Sequence, residues 1–321
     1  WFRAIRQTAP MMVAVVAGLA AAAVHIWLPA TTGVPKLAVS DYKGVAYARK
    51  FPDNRQVTRI VSPFGDLQVY ASSYLHFAPG LSDNAAFNLP KMPANAYLGL
   101  YIDGEGPNGI IRDLPAQETA YYRYLPMFYP YLLKDKPETF VVQFGGGIST
   151  SVALKSGSKR VTVAEGNPTV LEAFRTVQEL KDFTGDILAK PNLRVIDHDG
   201  RIHLASTRER YDIIDLSLAD SAGLSSPGGF AITEKYAYTR EAMANYMRAL
   251  DKDGILSVTL WNKEEPPKSV LKLYATMVAA AGEIDGGALE DRFFAVSTYL
   301  STATVLYKRG GFTAAEIETL R

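Results

Sequence analysis

Between residues 137 and 308, short apolar segments alternate with longer segments in which apolar residues recur at helical spacing. Short apolar runs of strand length lie within 140–150, 160–165, 192–199, 211–220 and 254–261. Longer patterns with helical spacing separate them, at roughly 168–183, 234–251 and 267–281. Strands that alternate with helices of this length predict a parallel sheet covered by helices on both faces.

The segment before this region has a different texture. Short β-type runs at 58–61, 67–70 and 97–102 are separated by proline, glycine, asparagine and aspartate. This spacing predicts a small antiparallel, β-rich region. We divide the chain into three regions, an N-terminal apolar region at 1–35, the β-rich domain at 36–135 and the α/β domain at 136–321. An aromatic helix is expected at the end of the β-rich domain.

An apolar stretch opens the chain. No charged residue lies between Arg6 and Lys36, and residues 11–28 are apolar apart from His25. Eighteen such residues are about enough for a transmembrane helix, and a signal peptide is the competing interpretation. The chain begins with Trp and ends in a short helical pattern. We therefore expect it to be part of a longer protein.

Polar groups gather where the predicted parallel strands end. Three glycines, 145–147, follow the first strand and precede a helical pattern. Glycine lets a ligand approach the backbone, and free N–H groups at a helix start favour anionic or polar ligand groups. A tight strand-to-helix turn would need glycine as well. Glu165 and Asp199 end the next two strands, and ligands of such sheets bind at these ends.

These motifs resemble the spermidine synthases and related polyamine aminopropyltransferases. The glycines, Glu165, the segment 199–201 and the segment 211–214 leading to Asp220 carry the resemblance. It covers about 137–308 and, more faintly, about 60–135. More narrowly, the chain is similar to the membrane-fused, spermidine-synthase-like proteins of bacteria.

The resemblance implies a fold: a class I methyltransferase-like, doubly wound α/β sheet whose last two strands, 293–300 and 302–308, are an antiparallel pair. A small β-rich domain and one transmembrane helix would precede it. The resemblance also implies a co-substrate, S-adenosylmethionine or its decarboxylated form. Residues implied to contact this donor are Gly145, Gly146, Gly147, Ser149, Thr150, Glu165, Asp199, Gly200 and Ser217.

Individual roles follow from the same resemblance. Glu165 would accept hydrogen bonds from the ribose diol, since a carboxylate is an acceptor; a solvated surface glutamate is the alternative. Asp199 would receive the adenine amino group. Asp220 is the candidate base, or else a cap of the following loop. Tyr121 would help to hold a polyamine, with aromatic packing between domains as the alternative.

Several acidic residues of the family are replaced here. Ile148 follows the glycines, Ser217 replaces the first acid after the fourth strand, and Arg123 replaces the glutamate of a Tyr-His-Glu triplet. The changes remove negative charge from the region where cationic amines would bind. We therefore expect S-adenosylmethionine to bind more tightly than the decarboxylated donor. Asp215 is expected to face away from the pocket or to be partly buried, and we assign it no role.

Three functions stay open at this point. The first is a membrane-anchored aminopropyltransferase, the second a methyl or alkyl transferase that uses S-adenosylmethionine, and the third a non-catalytic subunit of a membrane complex. The expected partners are a small-molecule substrate such as a polyamine, the lipid bilayer, and a membrane protein or a second copy. The expected location is the inner membrane, with the soluble part in the cytoplasm.

The composition argues against several other functions and kinds of site. The formal net charge of +1 gives no support for nucleic-acid binding, which usually involves a basic patch. The absence of cysteine excludes disulfides, thiolate metal ligands and cysteine nucleophiles. The four histidines lack metal-ligand spacing, so we expect no metal site.

Overall fold

The structure is a computed structural model, which describes residues 8–32, 39–75, 80–81, 87–89, 93, 97–218, 236–262, 265–286, 289–297 and 302–321. The chain divides into two compact units, Trp1–Ser40 and Asp41–Arg321. The second unit contains both β-sheets, and the predicted boundary between residues 135 and 136 stays a prediction.

In the first unit, the apolar stretch forms helix α1, Thr8–Thr32. The side chains of Met12, Val13, Val16 and Leu19 are exposed. Within the described part of the chain, no helix combines the length and the apolarity that a membrane span requires. The predicted transmembrane helix is therefore not confirmed, and neither is the resemblance to the membrane-fused branch. The inner-membrane location stays a prediction.

The middle section forms an antiparallel sheet of four strands, in the order β1-β2-β3-β4. The strands are β1 Arg55–Ser62, β2 Gly65–Ala71, β3 Tyr97–Ile102 and β4 Glu105–Ile111, preceded by helix α2 Gly44–Lys50. The three predicted β-type runs lie in β1, β2 and β3. Two hairpins build most of this sheet, because β1 pairs with β2 and β3 pairs with β4.

The following aromatic segment is not an α-helix. It forms two stretches of 3-10 helix, Ala116–Tyr124 and Pro126–Leu132. Proline has no backbone N–H to donate, so Pro126 and Pro130 interrupt the bonding of a longer helix. Tyr121, Tyr122, Leu125 and Met127 are all buried in the core.

The second sheet has seven strands, in the order β10-β11-β9-β8-β5-β6-β7. Its strands are β5 Glu138–Val141, β6 Arg160–Ala164, β7 Leu193–Ile196, β8 Tyr211–Ser217, β9 Leu250–Trp261, β10 Phe293–Ser297 and β11 Thr302–Lys308. The first five are parallel, whereas β11 runs antiparallel to both β9 and β10. The predicted doubly wound sheet with an antiparallel last pair is confirmed.

Helices cover this sheet on both faces. They are α3 Ile148–Lys155, α4 Pro168–Thr176, α5 Gln178–Thr184, α6 Gly200–Ser206, α7 Arg240–Ala249, α8 Lys268–Asp285 and α9 Ala314–Leu320. Val177 is extended and divides the helix predicted at 168–183 into α4 and α5. Thr239 starts α7, because its side chain accepts a hydrogen bond from the Ala242 N–H at 3.2 Å.

The order of the strands determines where a ligand can bind. From β5, the chain adds β6 and β7 on one side and then returns to add β8 and β9 on the other. The loops after β5 and β8 therefore leave in opposite directions and open a crevice at the carboxyl ends of the strands. All predicted donor-binding residues follow or end strands at this edge.

Candidate active site

The three glycines form the turn between β5 and α3, and they differ in what surrounds them. Gly145 has φ +55°, and a side chain added there would meet open space. A Cβ on Gly146 would instead collide with the backbone carbonyl of Gly109 in β4. Gly147 makes a β-bridge with Ile110. The turn is thus packed against the small sheet, and Gly145 is the glycine with room for a ligand.

Glu165 follows β6 and is only 3% exposed. Its Oε2 accepts a hydrogen bond from the Gly145 N–H at 2.9 Å, and its Oε1 accepts one from the Asn167 N–H at 2.8 Å. The two backbone bonds therefore fix the buried carboxylate at the end of β6, so the alternative of a solvated surface glutamate is wrong.

Asp199 lies at the start of α6. Its Oδ1 accepts a hydrogen bond from the Arg201 N–H at 2.7 Å, which makes Asp199 the N-cap of the helix. Its side chain is 47% exposed, and Oδ2 lies 3.6 Å from the Arg201 guanidinium. A Cβ on Gly200 would collide with the Val142 carbonyl. Gly200 therefore brings the helix start close to β5.

A cavity of about 320 Å³ joins these groups. It is lined by residues that follow β5, β6 and β7, by the small sheet and by the segment before α7, including Ile102, Asn108, Gln143, Gly145, Glu165, Asp199, Gly200 and Tyr236. This volume is at the lower end of the range for small-molecule sites. We call it the large cavity.

A second cavity of about 30 Å³ lies at the ends of β8 and β9. Its lining includes Ile148, Ser149, Ser217, Leu218 and Trp261, and it shares Asn108, Gln143 and Gly145 with the large cavity. None of the described residues that line it carries a charge. We call it the small cavity. The small cavity adjoins the large cavity, which is lined by the carboxylates of Glu165 and Asp199.

Leu218 marks the end of β8 by a change of backbone direction. Its φ is +54°, in the left-handed region that residues other than glycine rarely adopt. Such a conformation costs of the order of 1–3 kcal/mol and is concentrated at functional sites. The strain brings a leucine side chain to the small cavity directly after Ser217.

Three of the described residues that were predicted for the site are not at the cavities. Gly147 is absent from the lining of both. Thr150 is fully buried and Tyr121 is 1% exposed, and neither lines the large or the small cavity. Tyr121 packs in the main hydrophobic core, which agrees with the alternative of aromatic packing. Asp220 lies outside the described residues.

Of the two alternatives for Asp215, the outward-facing orientation is wrong, whereas burial agrees with its exposed fraction of 2%. Side chains two residues apart on a strand point to the same face of the sheet, so Asp215 and Ser217 share one face. Ser217 Oγ lies 2.7 Å from Asp215 Oδ1 and donates a hydrogen bond to it. The carboxylate thus lies beneath a residue that lines the small cavity.

Gln143, Trp261 and Asn108 are among the lining residues that sequence reasoning missed. Gln143 interrupts the apolar run of β5 just before the glycines, and this polar position could have been noticed. Trp261 ends β9, which also places it at the ligand edge of the sheet. Asn108 comes from β4, and no local pattern connects this strand with the glycine turn.

The geometry can be compared with known proteins. A polyamine aminopropyltransferase from Korarchaeum cryptofilum is 31% identical to the chain over 146 residues, which are 44% of the chain and 42% of the relative. The resemblance to polyamine aminopropyltransferases is confirmed. The chain thus matches less than half of the length of this relative. No family model matches the chain.

One solved structure supports the same fold. A probable spermidine synthase from Corynebacterium glutamicum superposes with a TM-score of 0.51 at 14% identity, over 82% of this chain and 85% of its own. A spermidine synthase from Thermotoga maritima has a TM-score of 0.49 at 14% identity, over 83% of this chain and 75% of its own. The first of these supports the class I methyltransferase-like fold.

Proposed function

We propose that the protein is an aminopropyltransferase-like enzyme that binds the adenosine part of a sulfonium donor in the large cavity. The observation that carries this proposal is the position of Glu165. Its carboxylate is buried, is held by two backbone N–H groups and lines a cavity that also contains Asp199. The similarity to a polyamine aminopropyltransferase supports the reaction class.

The large cavity offers acceptors for the two polar parts of adenosine. Glu165 would accept hydrogen bonds from the ribose hydroxyls, and Asp199 Oδ2 would accept one from the adenine amino group. Charge-assisted hydrogen bonds of this kind are the stronger class. The Gly145 backbone, which lines both cavities, would lie along the arm that joins ribose to sulfur. The reacting carbon would then enter the small cavity.

Isothermal titration calorimetry with decarboxylated S-adenosylmethionine tests this placement. Glu165→Gln replaces one acceptor oxygen with an amide that faces a backbone N–H. Losing hydrogen bonds to a charged group costs about 1.5–3 kcal/mol, so we expect affinity to fall by roughly 10- to 100-fold. Glu172→Gln, at an exposed position of α4, is the matched control and should bind like the unmodified protein. Equal binding by both variants would refute the assignment of Glu165.

A second candidate function is methyl transfer from S-adenosylmethionine. The observation that favours it is the uncharged lining of the small cavity among the described residues, with Ile148 and Ser217 at positions where the family has acids. Such a lining repels the donor's methionine carboxylate less than acidic residues would. A donor labelled on its methyl group and a donor labelled on its aminopropyl group distinguish the two reactions by which label reaches the acceptor.

The two donors also give opposite expectations in direct binding. Tighter binding of S-adenosylmethionine would favour methyl transfer, and tighter binding of the decarboxylated form would favour aminopropyl transfer. A polyamine such as putrescine is the first acceptor to test in either case. Association with a membrane protein or with a second copy stays a prediction.

A further inference from the structure

Asp215 is a buried carboxylate that the proposed donor site does not use. It lies within β8 and is 2% exposed. Its strand neighbours are Val141 on β5 and Ser257 on β9. In the described part of the chain, no lysine or arginine forms an ion pair with it. An unpaired buried carboxylate is costly and is seldom kept for stability alone.

The groups around Asp215 are neutral. Hydroxyls face it from three elements, Ser149 on α3, Ser217 on β8 and Ser257 on β9, and Tyr131 is the titratable side chain near it. Burial first, and then Asp215, raise the pKa of Tyr131, so this phenol stays protonated. Oδ2 has no hydrogen-bond partner of good geometry among the described residues, although Ser149 and Ser257 are close enough to lower the carboxyl pKa.

Ser217 connects this carboxylate with the small cavity. Its hydroxyl lines the cavity and lies 2.7 Å from Asp215 Oδ1. A carboxylate only accepts hydrogen bonds, so the Ser217 proton points inward. Ser217 Oγ also lies 3.0 Å from Thr259 Oγ1. With its own proton directed at Asp215, Ser217 Oγ can accept a hydrogen bond from Thr259, and its other lone pair is left to accept a proton from a group in the cavity.

We infer that Asp215 receives the proton of the transfer reaction through the hydroxyl of Ser217. This inference rests on the proposed function. Ser217 would contact the acceptor, and Asp215 would act as a positioning residue that holds the hydroxyl proton and finally accepts it. Asp215 lies two residues before Ser217, the position at which the family has an acid. Two residues of a strand span about 7 Å, so the Asp215 backbone lies that much further from the carboxyl end of β8. The intervening distance is bridged by the serine hydroxyl.

The step balances in protons and electrons. The acceptor nitrogen gives its proton to Ser217 Oγ while the Ser217 proton moves to Asp215 Oδ1. The nitrogen lone pair forms a bond to the carbon beside the sulfonium. The bond from this carbon to sulfur breaks, and its electron pair leaves with sulfur as a neutral thioether. Asp215 ends as a neutral carboxylic acid and returns its proton to solvent before the next turnover.

The pKa of Asp215 suits this role. Burial raises it to about 6, against the lowering by the three serine hydroxyls. A base with a pKa just below the working pH is ionised and still has appreciable proton affinity. The rate of the unmodified protein should therefore rise with pH through a midpoint of about 6 and then level off.

The test measures kcat and KM against pH for four proteins: unmodified, Ser217→Ala, Ser217→Thr and Asp215→Asn. We expect Ser217→Ala and Asp215→Asn to lower kcat by roughly 10²- to 10⁴-fold, the usual contribution of general base catalysis, with the donor KM nearly unchanged. Ser217→Thr keeps the hydroxyl and should retain most of the activity. The rise near pH 6 should disappear in Asp215→Asn.

Any of the following outcomes would overturn the inference. Ser217→Ala with full activity would exclude the hydroxyl, whether or not Asp215→Asn folds. Asp215→Asn that keeps the rise near pH 6 would exclude Asp215. An unmodified protein that binds donor but transfers neither group to an amine would refute the proposed function and the relay with it, whereas normal transfer by all four proteins would refute only the relay.

Discussion

Asp215 gives a prediction about stability that is independent of activity. Burial raises its pKa to about 6, from 3.8 for an exposed aspartate. Between about pH 4 and pH 6 the native state binds more protons than the unfolded chain, so the free energy of unfolding decreases as the pH rises. The loss is at most about 3 kcal/mol, at about 1.4 kcal/mol for each pKa unit. Asp215→Asn should remove this loss. In urea unfolding, the free energy of unfolding of the variant should therefore rise relative to that of the unmodified protein between pH 4 and pH 7.

Asp135→Asn is the control for this measurement. Asp135 is an exposed carboxyl before β5, and its replacement by asparagine shows the effect of losing one carboxyl without a change in the buried core. The prediction would be contradicted if the free energies of unfolding of Asp215→Asn and the unmodified protein differed by the same amount at pH 4 and at pH 7.

Single residues could be predicted where a strand ends. Glu165 was predictable because an acid directly after an apolar run marks the ligand edge of a parallel sheet. Asp199 lies three residues beyond β7, and its role came from the resemblance to aminopropyltransferases. For Asp215, burial was predictable but its orientation was not recognised, although the two-residue period of a strand already places it on the same face as Ser217. Asn108 could not be found, because its position depends on contacts between β4 and the glycine turn.

At the scale of elements, the contact between β4 and the glycine turn is the arrangement that completes the site. A Cβ at residue 146 would strike the backbone of Gly109, which cannot move aside as a flexible side chain could. We expect Gly146→Ala to lower the free energy of unfolding by roughly 3 kcal/mol, the upper end of overpacking. Urea denaturation measures this cost, and the β-bridge from Ile110 to Gly147 should be weakened with it.

Gly145→Ala is the matched comparison, one residue away in the same turn. Its methyl group meets open space, so the cost is that of a left-handed backbone, about 1–2 kcal/mol. Because Gly145 lines both cavities, this variant should lose donor affinity more than stability. A larger stability loss for Gly145→Ala than for Gly146→Ala would contradict this account of the turn.

The elements themselves were largely predictable, and their ends were not. The five parallel strands and the final antiparallel pair follow from apolar runs separated by helical patterns. The helix predicted at 168–183 is divided at Val177, and the aromatic segment forms 3-10 turns around Pro126 and Pro130. In both places a local backbone preference interrupts a pattern that side-chain periodicity would continue.

At the scale of the whole molecule, the site depends on both sheets being held in one unit. The main hydrophobic core joins Leu67, Val69 and Leu100 of the small sheet with Val141 and Val163 of the large one. The large cavity likewise takes its lining from both sheets. Sequence patterns predicted two sheets but not their shared core, because that core is built from contacts between distant segments.

This shared core predicts how the second unit behaves without the first. The buried core residues belong to Asp41–Arg321, from Val45 in α2 to Leu320 in α9. A fragment of residues 41–321 should therefore fold, unfold in one cooperative transition and bind the donor with the affinity of the longer chain. Circular dichroism with thermal unfolding tests the first two points, and calorimetry tests the third. Two separate transitions for the two sheets would contradict the shared core.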